Sequence, residues 1–292
     1  MVVLSIIPMF LPTKNINPTP KTTRTTSTTA IPTILSAPVV NCTYGGPSTC
    51  GCSPIQPTFL AAKVINGYTV TPNSWPWVVL VEITAFGYTE ICGGFLITYK
   101  HVITAGHCVP ADSVTEDMIT VYAGIQKRSE KNSGQIRSVA VIKRQPQFNI
   151  TVYTNDIAIL VLNSTIAETS TVGLCCLPVD TSLPTLDQHV VIVGWGRTTV
   201  NGSQPDELQQ AVVQVLPPIS SCVVSSAVQF CAGYMTTDTC RGDSGGPVMI
   251  SYNNSWTCAG SVSSSLGSYC NGLGTYTRIA SQQSFIQSVI SS

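Results

Sequence analysis

The stretch Gly242-Asp243-Ser244-Gly245-Gly246-Pro247 sets one serine hydroxyl among glycines. Glycine permits backbone conformations closed to other residues, which exposes the Ser244 hydroxyl and aims the amides of Gly242 and Ser244 at one point. A serine hydroxyl is a poor nucleophile until a base takes its proton, and an imidazole base needs a third group to hold its tautomer. Working outward from Ser244, the chain offers both. Thr104-Ala105-Gly106-His107-Cys108 places an imidazole beside a cysteine able to anchor it. Asn155-Asp156-Ile157-Ala158-Ile159-Leu160 opens an apolar strand with a carboxylate that is costly to bury without a partner. The order His, Asp, Ser is one of three chain orders in which such a triad occurs. His101 and His189 lack such company and read as structural or exposed residues.

Composition narrows the function classes. The chain has 292 residues, 43% hydrophobic and 10% charged, and its 14 Lys plus Arg balance 14 Asp plus Glu. Zero net charge without a basic run argues against nucleic-acid binding, which rests on clustered positive charge. No apolar run approaches the ~20 residues of a membrane-spanning helix; the longest, residues 2–11, is interrupted by Pro8. Twelve cysteines, with Asn-X-Ser/Thr sequons at Asn41, Asn149, Asn163, Asn201 and Asn253, point to oxidised pairs in a secreted, extracellular glycoprotein.

Residues 1–11 are the candidate signal peptide, although no basic residue precedes the apolar run. Residues 12–41 crowd Thr22, Thr23, Thr25, Thr26, Thr28 and Thr29 among Pro18, Pro20 and Pro32, a composition that reads as a disordered stalk or linker. A short cysteine-containing piece follows at 42–63. From Val64 to residue 292 the texture is all-β. Runs rich in Val, Ile, Thr and aromatics at 77–83, 119–123, 157–162, 190–193 and 211–216 are punctuated by Gly, Pro, Asn and Ser. Only the C-terminus has helical spacing, at Ile286, Val289 and Ile290.

These motifs, with Val64-Ile65-Asn66-Gly67, Val193-Gly194-Trp195-Gly196 and Gly274-Thr275-Tyr276-Thr277, make the chain resemble the trypsin and chymotrypsin-like serine endopeptidases over residues 50 to about 290. The resemblance implies two packed six-stranded antiparallel Greek-key barrels with a short C-terminal helix. It implies a secreted, monomeric peptidase that hydrolyses protein or peptide substrates without a cofactor. His107, Asp156 and Ser244 are then catalytic, and the Gly242 and Ser244 amides form the oxyanion hole. The same resemblance makes Lys63-Val64 the site at which an activating protease cuts, freeing an α-amino group for Asp243. Asp238, six residues before Ser244, falls where trypsin-like members bind Lys or Arg of the substrate, with Gly274 keeping the pocket open. Ser263-Ser264-Ser265 departs from the family's usual Ser-Trp-Gly: Ser263 matches a serine near the triad carboxylate, while Ser265 puts a side chain at the pocket mouth. Chymotrypsin- or elastase-like specificity, or an inactive binding homologue, are the alternatives.

The resemblance also pairs Cys92 with Cys108, Cys222 with Cys231, Cys240 with Cys270, and Cys50 with Cys176, the last tethering the propeptide. Proximity favours Cys42 with Cys52, leaving Cys175 with Cys258. The acidic loop that holds calcium in trypsins is replaced by Ile125-Gln126-Lys127-Arg128, which supplies no carboxylate cluster, so no metal is expected.

Overall fold

The apolar runs become strands. In the computed structural model, which describes residues 40–292 except 47–48, 60–66, 86, 200–201, 219–221, 223, 234–238 and 266–271, the first half holds β1 (Tyr68–Thr69), β2 (Val78–Ala85), β3 (Tyr88–Thr98), β4 (His101–Thr104), β5 (Ile119–Ala123), β6 (Gln135–Arg144) and β7 (Ala158–Leu162). The second half holds β8 (His189–Gly194), β9 (Gln209–Leu216), β10 (Gln229–Gly233), β11 (Pro247–Tyr252), β12 (Ser255–Ser265) and β13 (Gly274–Arg278), closed by the helix α1 (Gln283–Ile290). The candidate signal peptide, nearly all of the Thr-rich stalk, Lys63, Val64, Asp238 and Cys270 lie outside the described residues.

Two closed antiparallel barrels result. The first runs β2-β3-β4-β7-β6-β5. The second runs β8-β9-β10-β13-β12-β11 and closes through the β11–β8 pairing, with β1 added beside β9. Strands buried on both faces, such as β2 and β7, appear in the sequence as continuous apolar runs. β6 instead mixes exposed and covered residues, and its short apolar run at 139–142 leaves Ala140 and Val141 exposed.

Tryptophans weld the barrels. Trp77 is fully buried, and its indole N–H reaches Met249 Sδ of β11 at 2.9 Å. Trp75 lies edge-on to Trp77 and Trp256, at 5.9 and 4.8 Å between ring centroids, and donates to Gln210 Oε1 at 2.7 Å. Such aromatic pairs add about 0.5–1.5 kcal/mol each beyond the area they bury. Phe59 extends the cluster from the preceding segment, 6.0 Å from Trp256 and 6.4 Å from Trp75.

Segment 40–59 is stitched to the same region. Cys42–Cys52 closes a small loop and Cys50–Cys176 joins the segment to the interbarrel connection. The Gly51 amide donates to the Leu174 carbonyl (2.8 Å), and the Gly51 carbonyl accepts from the Trp256 amide (2.9 Å). Cys175–Cys258 bridges the connection to β12 at a Cα separation of 5.9 Å, because residue 176 runs alongside residue 257 there. Cys92–Cys108 and Cys222–Cys231 complete the five described pairs. Cys240 is also disulfide-bonded.

Candidate active site

Register explains how His107 and Asp156 meet. β4 and β7 are antiparallel neighbours, with Thr104 opposite Ala158, so the turn leaving β4 and the loop entering β7 emerge at the same end of the barrel. His107 sits in the turn Gly106–Cys108, which Cys92–Cys108 staples to β3. Asp156 precedes β7 and is 0% exposed.

The Asp156 carboxylate is saturated with donors. His107 Nδ1 lies 2.7 Å from Oδ2, the His107 backbone amide donates to Oδ1 at 2.8 Å, and the Ser263 hydroxyl donates to Oδ2 at 2.6 Å. Thr277 of β13 donates to the Asp156 carbonyl at 2.9 Å. Three donors on one buried carboxylate satisfy its oxygens and fix the ring. Since Asp156 can only accept, Nδ1 carries the proton and Nε2 is left as the basic nitrogen. The ring remains partly open, with 20% of its side chain exposed, and Tyr153 packs edge-on against it at 5.5 Å.

Ser244 arrives from the second barrel. Its carbonyl accepts from the Gly93 amide at 2.8 Å, next to the Cys92–Cys108 bridge that also anchors His107. Gly245 follows at φ +81°, and a β-carbon there would strike Thr104 Oγ1 and the Ala105 amide. Only glycine lets the serine turn press this closely on the histidine turn. Among the described residues, the amides of Gly242 and Ser244 donate to no protein acceptor, whereas the intervening Asp243 amide closes on the Cys240 carbonyl at 3.0 Å. Asp243 Oδ1 accepts from the Gly196 amide (2.8 Å) and Oδ2 from the Cys240 amide (2.9 Å). β-Carbons on Gly194 and Gly196 would overlap this carboxylate, which gives the glycines of Val193-Gly194-Trp195-Gly196 their physical reason.

The structure thus brings His107, Asp156, Ser244, Gly242, Asp243 and Ser263 into one neighbourhood. The Ser263 hydroxyl is turned onto Asp156 and is 2% exposed, so it does not present itself to a substrate pocket. Gly274 pairs with Ala232 and Ser265, and a β-carbon there would meet the Tyr276 hydroxyl. His101 stands apart, 2.7 Å from Thr98 Oγ1, and burial, aided by Lys100, lowers its pKa. Thr277 and Gly93 were not legible as neighbours of the site, because each acts across strands remote in sequence, and Tyr153 was not because its contact with the His107 ring joins two separate loops.

A family model described as Trypsin matches residues 64–286. The chain is 32% identical over 251 residues to transmembrane protease serine 5 of Homo sapiens, covering 82% of this chain and 54% of that protein. It is 32% identical over 234 residues to chymotrypsin-C of Bos taurus and 33% over 241 residues to that of Rattus norvegicus, each time covering 77% of this chain and 86% of the relative. The chain therefore spans about half the length of the transmembrane protease and most of each chymotrypsin-C. Among the described residues, no helix is long and apolar enough to cross a membrane. Two closed barrels, a histidine and a serine turn packed together at their junction, and a family match over most of the chain lead to one assignment: this chain belongs to the trypsin family of serine proteases.

Proposed function

We propose that the protein is a secreted endopeptidase in which His107 takes the Ser244 proton as the hydroxyl attacks a peptide carbonyl. The observation that carries this reading is the buried Asp156 carboxylate bonded to both the ring and the backbone of His107. Asp156 holds the tautomer and stabilises the imidazolium. The Gly242 and Ser244 amides bind the oxyanion, each donor contributing about 2.7–4 kcal/mol in sites of this type. The protonated imidazole then gives its proton to the leaving amine, and water activated by the same ring releases the acyl group from Ser244. No cofactor enters these steps.

Cleavage at Lys63-Val64 by an activating protease supplies an ammonium for Asp243, whose carboxylate lies against the oxyanion loop. Pairing raises that amine's pKa above its free value of about 8. The active form therefore persists below the raised pKa and is lost as pH climbs through it. The Cys50–Cys176 bridge supports a propeptide that stays attached after cleavage.

Asp238, by its place six residues before Ser244, supports cleavage after Lys or Arg, since a carboxylate in a specificity pocket selects a cationic side chain and rejects apolar ones. Chymotrypsin-like cleavage after large apolar residues is the second reading, favoured by the likeness to the two chymotrypsin-C proteins and by Ser264 and Ser265. The test is cleavage of a peptide library by activated wild type and Ser244→Ala. Products ending in Lys or Arg from wild type alone are expected. Ends in Phe, Tyr or Leu reject tryptic specificity, and equal turnover by the variant rejects the mechanism.

A further inference from the structure

The loop following β5 is tied to the second barrel. Arg128 reaches across from the first barrel to residues 204–205 of the second with all three guanidinium nitrogens. Nε donates to the Pro205 carbonyl (3.0 Å), Nη1 to Gln204 Oε1 (3.0 Å) and Nη2 to the Gln204 carbonyl (3.2 Å). The tie is doubled on its flank. The Arg128 amide donates to the Asp206 carbonyl at 2.9 Å, and the Asp206 carboxylate accepts from the Ser129 amide and hydroxyl, both at 2.7 Å.

A guanidinium only donates, so it holds Oε1 of Gln204 toward itself and turns Nε2 the other way. On that side stands Gly242. A β-carbon on Gly242 would land on Gln204 Nε2, with Gly196 Cα the next residue met. Gly242, at φ +102°, therefore packs the open face of its α-carbon against the Gln204 amide and Gly196.

We propose that Arg128 and Gln204 are positioning residues that hold the Gly242 amide in place to receive the oxyanion, so that a basic loop in this chain braces the oxyanion loop of the opposite barrel. The proposal rests on Ser244 being the nucleophile. A catalytic donor must be held to within about 0.5 Å, and loss of one oxyanion donor lowers kcat about 10²–10³-fold. A loosened brace should lower kcat by about 10-fold or more while KM moves less than about twofold.

The experiment compares activated wild type with Arg128→Ala, Arg128→Lys, Gln204→Ala and Gln204→Glu. Each is titrated with a fluorophosphonate, melted thermally, and assayed for kcat, KM and inhibition by a peptide aldehyde and by the matching peptide alcohol. Only the aldehyde adduct places an oxyanion against Gly242. Arg128→Ala and Gln204→Ala are expected to weaken the aldehyde about 10-fold with the alcohol within about twofold, and the double variant should be no worse than either alone. Arg128→Lys, unable to fork, should retain part of the effect. Should the alanine variants fail to fold, Gln204→Glu keeps the tie to Arg128 yet sets a carboxylate against Gly242, and should weaken the aldehyde most. Equal changes for aldehyde and alcohol, or no change in any folded variant, overturn the inference. Wild type that neither labels nor turns over overturns the proposed function instead.

Discussion

Asp156 is the residue on which the site is built, because it touches the ring, the backbone of the histidine turn and the second barrel at once. Asp156→Asn preserves the volume but lets Nδ1 lose its proton to the wrong tautomer; kcat should fall about 10⁴-fold with the fold intact, measured under saturating peptide substrate. Ser263→Ala removes one charge-assisted bond worth about 1.5–3 kcal/mol, so its loss in kcat should stay below about 200-fold. A different titration contributes to the pH dependence of stability. The His101 imidazole has a lowered folded pKa against about 6.5 when unfolded, so the unfolded chain binds more protons below that point. The contribution of His101 to stability is intact above pH 6.5 and declines as pH falls through it. Melting at pH 5 against pH 7.5 should therefore show a larger acid loss for wild type than for His101→Gln; equal losses would remove His101 as the cause. His107, Asp156 and Ser244 were legible because each lies in a contiguous motif whose glycines or apolar neighbours announce a local shape. Arg128 and Gln204 were not, since their contact spans 76 positions and neither residue type marks it.

At the level of elements, the site depends on β4 and β7 lying side by side and on a staple that fixes the turn between β4 and the rest of the barrel. Replacing Cys92 and Cys108 by serine frees that turn. With a sequence separation of 16, the bridge should contribute about 3 kcal/mol, read from urea unfolding, and kcat should fall more than stability at a working temperature explains. Five strands with continuous apolar runs were readable: β5 occupies the predicted 119–123, and β2, β7, β8 and β9 lie within about a residue or two of their runs. β6 and β12 escaped because their sequences mix polar and apolar residues, and only the pairing partner decides which face is inside. The Cys175–Cys258 bridge had no motif behind it; the parallel run of the interbarrel connection beside β12 supplies the geometry.

For the whole molecule, the barrels meet through Trp75, Trp77 and Trp256, and segment 40–59 is sewn onto that seam by Cys50–Cys176 and by Phe59. After cleavage at Lys63-Val64 the two pieces should migrate as one band without reductant and as two with it, and Cys50→Ser should separate them without reduction. Two closed barrels set Ser244 on one and His107 with Asp156 on the other, so the proposed chemistry requires both to be folded and docked. The most direct test of that claim is mass spectrometry of the activated protein after fluorophosphonate treatment, with His107→Ala alongside. One adduct per chain, mapped to Ser244 and missing from the variant, is the predicted result; no adduct on folded wild type, or one on another residue, would contradict it.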